Sequence, residues 1–136
     1  MRTSLTHPLQ IAEIRLAPHL GKVGLTFCPG KKQPDAMTGG WDRDLKVDID
    51  AVAAWNAGAL LTLIEDVEMA RLGVETIGQS VLDEHMNWYH LPIRDAGIPD
   101  AVFEEAWQSV GEELRMRLRA GSNVLVHCKG GLAGPG

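Results

Sequence analysis

Missing from this sequence is any run of the ~20 consecutive apolar residues that a membrane-spanning helix requires, so no membrane partner is expected. Missing too is a basic cluster. Thirteen Lys and Arg stand against eighteen Asp and Glu, for a formal net charge of −5, and beyond the pair Lys31 and Lys32 the cations are scattered. That balance speaks against nucleic acid as a partner. Only two cysteines occur, Cys28 and Cys128, and their wide separation offers neither a metal-ligand spacing nor a disulfide framework. No charged leader followed by an apolar core opens the chain, so the cytoplasm is the expected compartment. Internal repeats and low-complexity stretches are also absent. What is present is 45% hydrophobic and 23% charged content in 136 residues, enough for one globular domain around one core.

Along the chain, strand-like and helix-like segments alternate. Residues 1–20 alternate only loosely, and give at most a weak first strand. Val23 to Cys28 is a better strand, closed by Pro29-Gly30, and Gly30 to Asp44 reads as a loop. Asp48 is a candidate N-cap for a short helix carrying Ile49, Val52, Ala53 and Trp55 inward, with Gly58 where a left-handed cap would end it. Ala59 to Ile64 has the unbroken apolarity of a strand buried on both faces. Two short helices are expected over Glu65 to Leu72 and Ile77 to Glu84, then a strand over Asn87 to Leu91. The longest helix is expected from Asp100 to about Ala120, with Phe103, Ala106, Trp107, Val110, Leu114 and Leu118 on one face and Gly121 as its stop. Such alternation predicts an α/β fold with a mostly parallel central sheet flanked by helices.

Chemistry gathers in two places. Val124-Leu125-Val126-His127 reads as a central strand, and it runs into Cys128-Lys129-Gly130-Gly131-Leu132-Ala133-Gly134. Glycines there allow successive N–H groups to turn inward as a nest for an anion such as phosphate, with a thiol at its base. A buried structural cysteine followed by a plain flexible tail is the competing explanation. A nucleotide P-loop is disfavoured because no Gly-Lys-Ser or Gly-Lys-Thr follows. The second place is the loop Ile93-Arg94-Asp95-Ala96-Gly97-Ile98-Pro99, which leaves a strand at its carboxyl end, where open α/β sheets bind ligands. Asp95 can be a carboxyl on a loop within reach of a ligand, or simply a turn-forming residue before Ala-Gly.

The segment from about Lys22 to Gly131 resembles the kinase-associated phosphatase (cyclin-dependent kinase inhibitor 3) branch of the dual-specificity and tyrosine phosphatases. The resemblance is carried by Gly24-Leu25, Phe27-Cys28-Pro29-Gly30-Lys31, Asp48, Leu63-Ile64-Glu65, His90-Leu91-Pro92-Ile93, Asp95 to Asp100, and Val126-His127-Cys128-Lys129-Gly130-Gly131-Leu132. It implies an N-terminal segment over 1–21 and a phosphatase-like domain over 22–136 that ends in the phosphate-binding loop, without the helices that follow this loop in the family. By the same resemblance, phosphotyrosine, phosphoserine or phosphothreonine monoesters would be hydrolysed through a cysteinyl-phosphate, with no metal and no cofactor. The partner would be a phosphorylated protein or a small phosphomonoester. Cys128 matches the nucleophile, Asp95 the general acid, and His127 a residue that braces the loop. Lys129, Gly130, Gly131, Leu132, Ala133 and Gly134 match the phosphate-binding positions. The chain departs from the pattern at Gly134, where the family carries Arg; no Arg occurs after Arg119. That departure implies impaired or absent catalysis, and leaves a non-catalytic phosphate-binding or protein-interaction module on the same fold as the alternative. A sulfur-transfer enzyme also uses a cysteine in a cradle loop, but the Asp95 loop and the Gly130-Gly131 pair argue against it.

Overall fold

The computed structural model describes residues 1–34, 39–93 and 101–130. In chain order the elements are β1 (Ala12–Ile14), β2 (Val23–Thr26), β3 (Lys32–Gln33), β4 (Trp41–Asp42), α1 (Leu45–Ala54), β5 (Ala57–Thr62), α2 (Asp66–Arg71), α3 (Ile77–Asp83), β6 (Asn87–His90), α4 (Ala101–Arg119) and β7 (Asn123–His127). Five strands form one sheet in the order β1-β2-β7-β5-β6, in which only β1 runs antiparallel. This is the mostly parallel α/β sheet expected from the sequence. β7 lies at its centre.

Near-continuous apolarity in β5 and β7 follows from cover on both faces. Leu60 and Leu125, both fully buried, point with Cys28 toward Ile49 and Val52 of α1, Met69 of α2 and Ile77 and Val81 of α3. Ala59, Leu61 and Val124 point the other way, toward Leu114 of α4 and the half-buried Phe103, Val110 and Leu118 beside it. Each fully buried leucine contributes about 1.5–3 kcal/mol relative to an exposed one. Trp107, expected on the inner face, instead flanks it at 36% exposure. Its ring lies over Gly111 one turn on, where the missing side chain makes room, and stacks on Phe103 with centroids 6.4 Å apart.

Three further expectations are corrected. The N-cap of α1 is Asp44, whose carboxylate accepts the Val47 N–H at 2.9 Å, while Asp48 sits in the first turn, fully buried. Several Asp at short spacing suit a helix start equally well by local rules, and the burial of Arg43 decides between them. Arg43 Nε donates to Asp48 Oδ2 at 2.8 Å and Nη2 to Oδ1 at 3.0 Å, with both side chains sealed from solvent. Gly58 caps nothing: the left-handed residue after α1 is Asn56 at φ 72°, and Gly58 lies in β5 against Ser122 Oγ. Finally, the expected loop from Gly30 to Asp44 contains the antiparallel pair β3–β4. Residues near the N-terminus complete this corner, since Arg2 bridges Trp41, and Ser4 Oγ accepts the Asp44 N–H at 2.8 Å. The expected cap Asp100 lies outside the described residues.

Candidate functional site

Because β2, β7, β5 and β6 run parallel, their carboxyl ends meet at one edge of the sheet. That edge is where an open α/β sheet offers a crevice. His127 closes β7 there, level with Thr26 of β2 and Thr62 of β5. Cys128 comes next and is half-buried. The other cysteine, Cys28, follows β2 and is wholly buried, and burial pushes its thiol up to about 12. Cys28 is a core residue.

His127 is 1% exposed. Burial pulls its imidazole down to about 4, with the backbone contact to Cys128 pulling weakly the other way, so the ring is neutral. Nε2 lies 2.8 Å from Thr62 Oγ1, and Nδ1 lies 3.1 Å from the Cys128 carbonyl oxygen. The next carbonyl is held as well. Lys129 O accepts the Cys28 N–H at 3.3 Å and the Lys31 ammonium at 3.3 Å. In a trans peptide the N–H points opposite to the C=O. Two successive carbonyls drawn toward the sheet therefore turn the N–H groups of Lys129 and Gly130 away from it, which is how an anion nest begins.

Lys31, to which the sequence alone assigned no role at the site, sits beneath this turn at 6% exposure. Its Nζ lies 4.8 Å from the Phe27 ring centroid and 4.7 Å from that of Trp41. Arg43 and Arg2 lie over the same rings, Arg43 at 4.8 Å from Phe27 and Arg2 at 3.8 Å from Trp41. Burial, opposed by Cys28 and reinforced by these neighbouring cations, lowers the affinity of Lys31 for its proton. No short sequence pattern signals such a platform, because its rings and cations come from three separate stretches, at residues 2, 27–31 and 41–43. The Lys129 side chain reaches sideways, with its Nζ 2.9 Å from Glu68 Oε1 on α2.

Asp95, Gly131, Leu132, Ala133 and Gly134 lie outside the described residues. The chain approaches the first of them along β5: Leu91 N–H donates to Thr62 O at 2.9 Å and Ile93 N–H to Leu63 O at 2.9 Å. Thus Ile93 stands at the same sheet edge as Cys128. Among the described residues, no group of three His, Cys, Asp or Glu could hold a metal ion, and no helix is long and apolar enough to cross a membrane.

The sequence matches no family model and no curated protein. Among solved structures the chain is similar to kinase associated phosphatase with its catalytic-site cysteine replaced by serine, at TM-score 0.77 and 23% identity over 92% of this chain and 67% of that one. It is also similar to Tk-PTP in its active form, at TM-score 0.57 and 23% identity over 86% of this chain and 66% of that one. A glycine-to-alanine variant of Tk-PTP gives TM-score 0.53 and 22% identity over 89% and 63%. The chain thus spans about two thirds of the length of each. Likeness at these identities is one of fold, and the fold is phosphatase-like.

Proposed function

We propose that this chain binds phosphate monoesters in a cradle built on Cys128 and residues 129–134, and that it is a cysteine-phosphatase-type domain whose turnover is impaired at Gly134. One observation carries the reading: a half-buried thiol stands at the carboxyl end of the central strand, and the two carbonyls after it are tied toward the sheet. The Lys129 and Gly130 N–H groups then point away from the sheet, where an anion can meet them. In the proposed reaction the Cys128 thiolate attacks phosphorus, and the ester P–O bond breaks as Asp95 gives its proton to the departing oxygen. Water, losing a proton to the Asp95 carboxylate, then attacks phosphorus; the S–P bond breaks and orthophosphate leaves. His127 braces the turn without reacting. A phosphorylated protein or a small phosphomonoester is the partner, and a reducing compartment, the cytoplasm, suits two cysteines that form no disulfide.

Gly134 occupies the sixth position after Cys128, where a guanidinium would share its fork of donors between phosphoryl oxygens. Loss of one oxyanion donor typically costs about 10²–10³-fold in kcat. Binding through backbone amides survives that loss better than turnover does. This favours, as the second reading, a phosphate-binding module without catalysis. Hydrolysis of para-nitrophenyl phosphate by the wild type, Cys128→Ser and Asp95→Asn chains, beside NMR titration with phosphotyrosine, separates the two. Turnover that vanishes in Cys128→Ser supports the enzyme; shifts at Lys129 and Gly130 without turnover support the module. Neither binding nor turnover would sink both.

A further inference from the structure

Thr62 is an anomaly in an apolar strand: a hydroxyl, fully buried, at the carboxyl end of β5. Its oxygen has two partners on the neighbouring strands. Trp88 Nε1 of β6 lies 2.8 Å away and His127 Nε2 of β7 lies 2.8 Å away on the other side. The parallel register explains the meeting, since Thr62 stands level with His127, and Trp88 stands level with Leu60, two residues earlier on the same face.

We propose that Thr62 and Trp88 are positioning residues for Cys128, acting through a directed hydrogen-bond chain from Trp88 Nε1–H to Thr62 Oγ1, from Thr62 Oγ1–H to His127 Nε2, and from His127 Nδ1–H to the Cys128 carbonyl. The direction follows from the two ends. An indole nitrogen can only donate, and a carbonyl oxygen can only accept. A neutral imidazole has one N–H, and the Cys128 carbonyl claims it at Nδ1. Nε2 is then bare and must accept, so the Thr62 hydroxyl gives its proton to His127 and takes the indole N–H on a lone pair.

The rest of the surroundings agree with this polarity. Among the described residues, the polar partners of the imidazole are Thr62 and Cys128, and His90 is the titratable group that acts on it. His90 is itself turned away, its Nε2 2.7 Å from Ile64 O, and its ring stacks on Trp88 at 5.2 Å. On its other side the indole packs against Gly78 of α3, where a Cβ would come within 2.5 Å of Trp88 Cε3. Trp88 is thus clamped by packing, and the clamp is passed on as hydrogen-bond direction. At the far end, the carbonyl held by His127 sets the Lys129 N–H on the opposite side of its peptide plane. An acceptor-only partner in place of Thr62 would favour the other tautomer, and the Cys128 carbonyl would lose its donor.

The inference rests on reading Cys128 as the reactive thiol, but its first readout does not. Long-range proton–nitrogen NMR of the full chain, with the five His resolved and His127→Asn as the assignment control, reports which ring nitrogen carries the proton. In the wild type the proton is expected on Nδ1. Thr62→Val and Trp88→Phe are each expected to mix the tautomers and to slow iodoacetamide labelling of Cys128, by about tenfold for Thr62→Val, the factor that one hydrogen bond of ordinary net strength represents. Thr62→Ser, which keeps the hydroxyl, is expected to return both readouts toward wild type. Where Thr62→Val fails to fold, Trp88→Phe and Thr62→Ser decide the matter. A proton on Nε2 in the wild type overturns the proposal, as do variants that leave the tautomer unchanged, whether or not labelling slows. A wild type that binds no phosphotyrosine and turns over no aryl phosphate counts against the proposed function alone.

Discussion

Cys28 and Cys128 carry the same thiol in opposite surroundings, one sealed under the sheet and the other half-buried at its edge. With its thiol held up to about 12 by burial, Cys28 stays protonated and unreachable in the native chain. Iodoacetamide at mildly alkaline pH is therefore expected to label Cys128 in the folded protein and Cys28 only after unfolding in urea, which peptide mapping by mass spectrometry checks. Native labelling of Cys28 at the faster rate would contradict this. His127 makes a second prediction at this scale. Its folded value of about 4 lies below the ordinary 6.5 because the buried ring resists charge. The unfolded chain takes up the proton first, so stability is at its full value above pH 6.5 and falls as pH drops from 6.5 toward 4, by about 3 kcal/mol. Urea midpoints across that window should fall in the wild type, and less steeply in His127→Asn.

Between elements, helix α3 approaches β6 through Gly78, and the approach depends on the missing side chain. Alanine there would add about 1 kcal/mol of helix propensity, but its Cβ would meet Trp88 Cε3 at 2.5 Å and Cζ3 at 2.6 Å. The indole cannot easily yield, being bonded to Thr62 and stacked on His90, and overpacking of this kind costs about 1–3 kcal/mol. Gly78→Ala is accordingly expected to lower the melting temperature, and a rise would show that the indole has somewhere to go. The start of α1 offers a contrast between two ion pairs on one helix. Asp48 is bound by Nε and Nη2 of Arg43 in a dry site and also accepts the Gly30 N–H at 2.7 Å, whereas Asp50 meets Lys46 in water. Breaking a buried pair leaves an uncompensated charge, so Asp48→Asn should cost about 3–5 kcal/mol in urea unfolding. Asp50→Asn should leave the midpoint where it is.

At the scale of the whole molecule, stability is distributed from the centre of the sheet outward. β7 has hydrogen-bonded strands on both sides and helices over both faces, while β1 is an edge strand whose three residues are all exposed. Native-state hydrogen exchange should find the amides of Leu60, Leu61 and Leu125 among the slowest and those of β1 among the fastest. Protection of β1 equal to that of β7 would refute this ordering. The candidate site is thus anchored on the central strand of the sheet, a rigid base for the turn that carries Cys128.

How much of this was legible from the sequence depended on how far apart the deciding residues lie. Unbroken apolar runs identified β5 and β7, period-3.6 spacing identified α4, and their alternation was enough for a parallel α/β sheet, because each signal is local to its element. The glycine-rich turn after His127-Cys128 likewise marked a candidate cradle without reference to the rest of the chain. What only the tertiary structure decided are the partners: Asp48 taken from capping by a buried Arg43, Lys31 drawn under Lys129 across 98 residues, and Thr62 aimed at His127 across 65. The physical reason is that a side chain's role as cap, ion pair or hydrogen-bond relay is set by which groups share its burial. Burial joins residues brought together by chain closure, on which local propensity and periodicity carry no information.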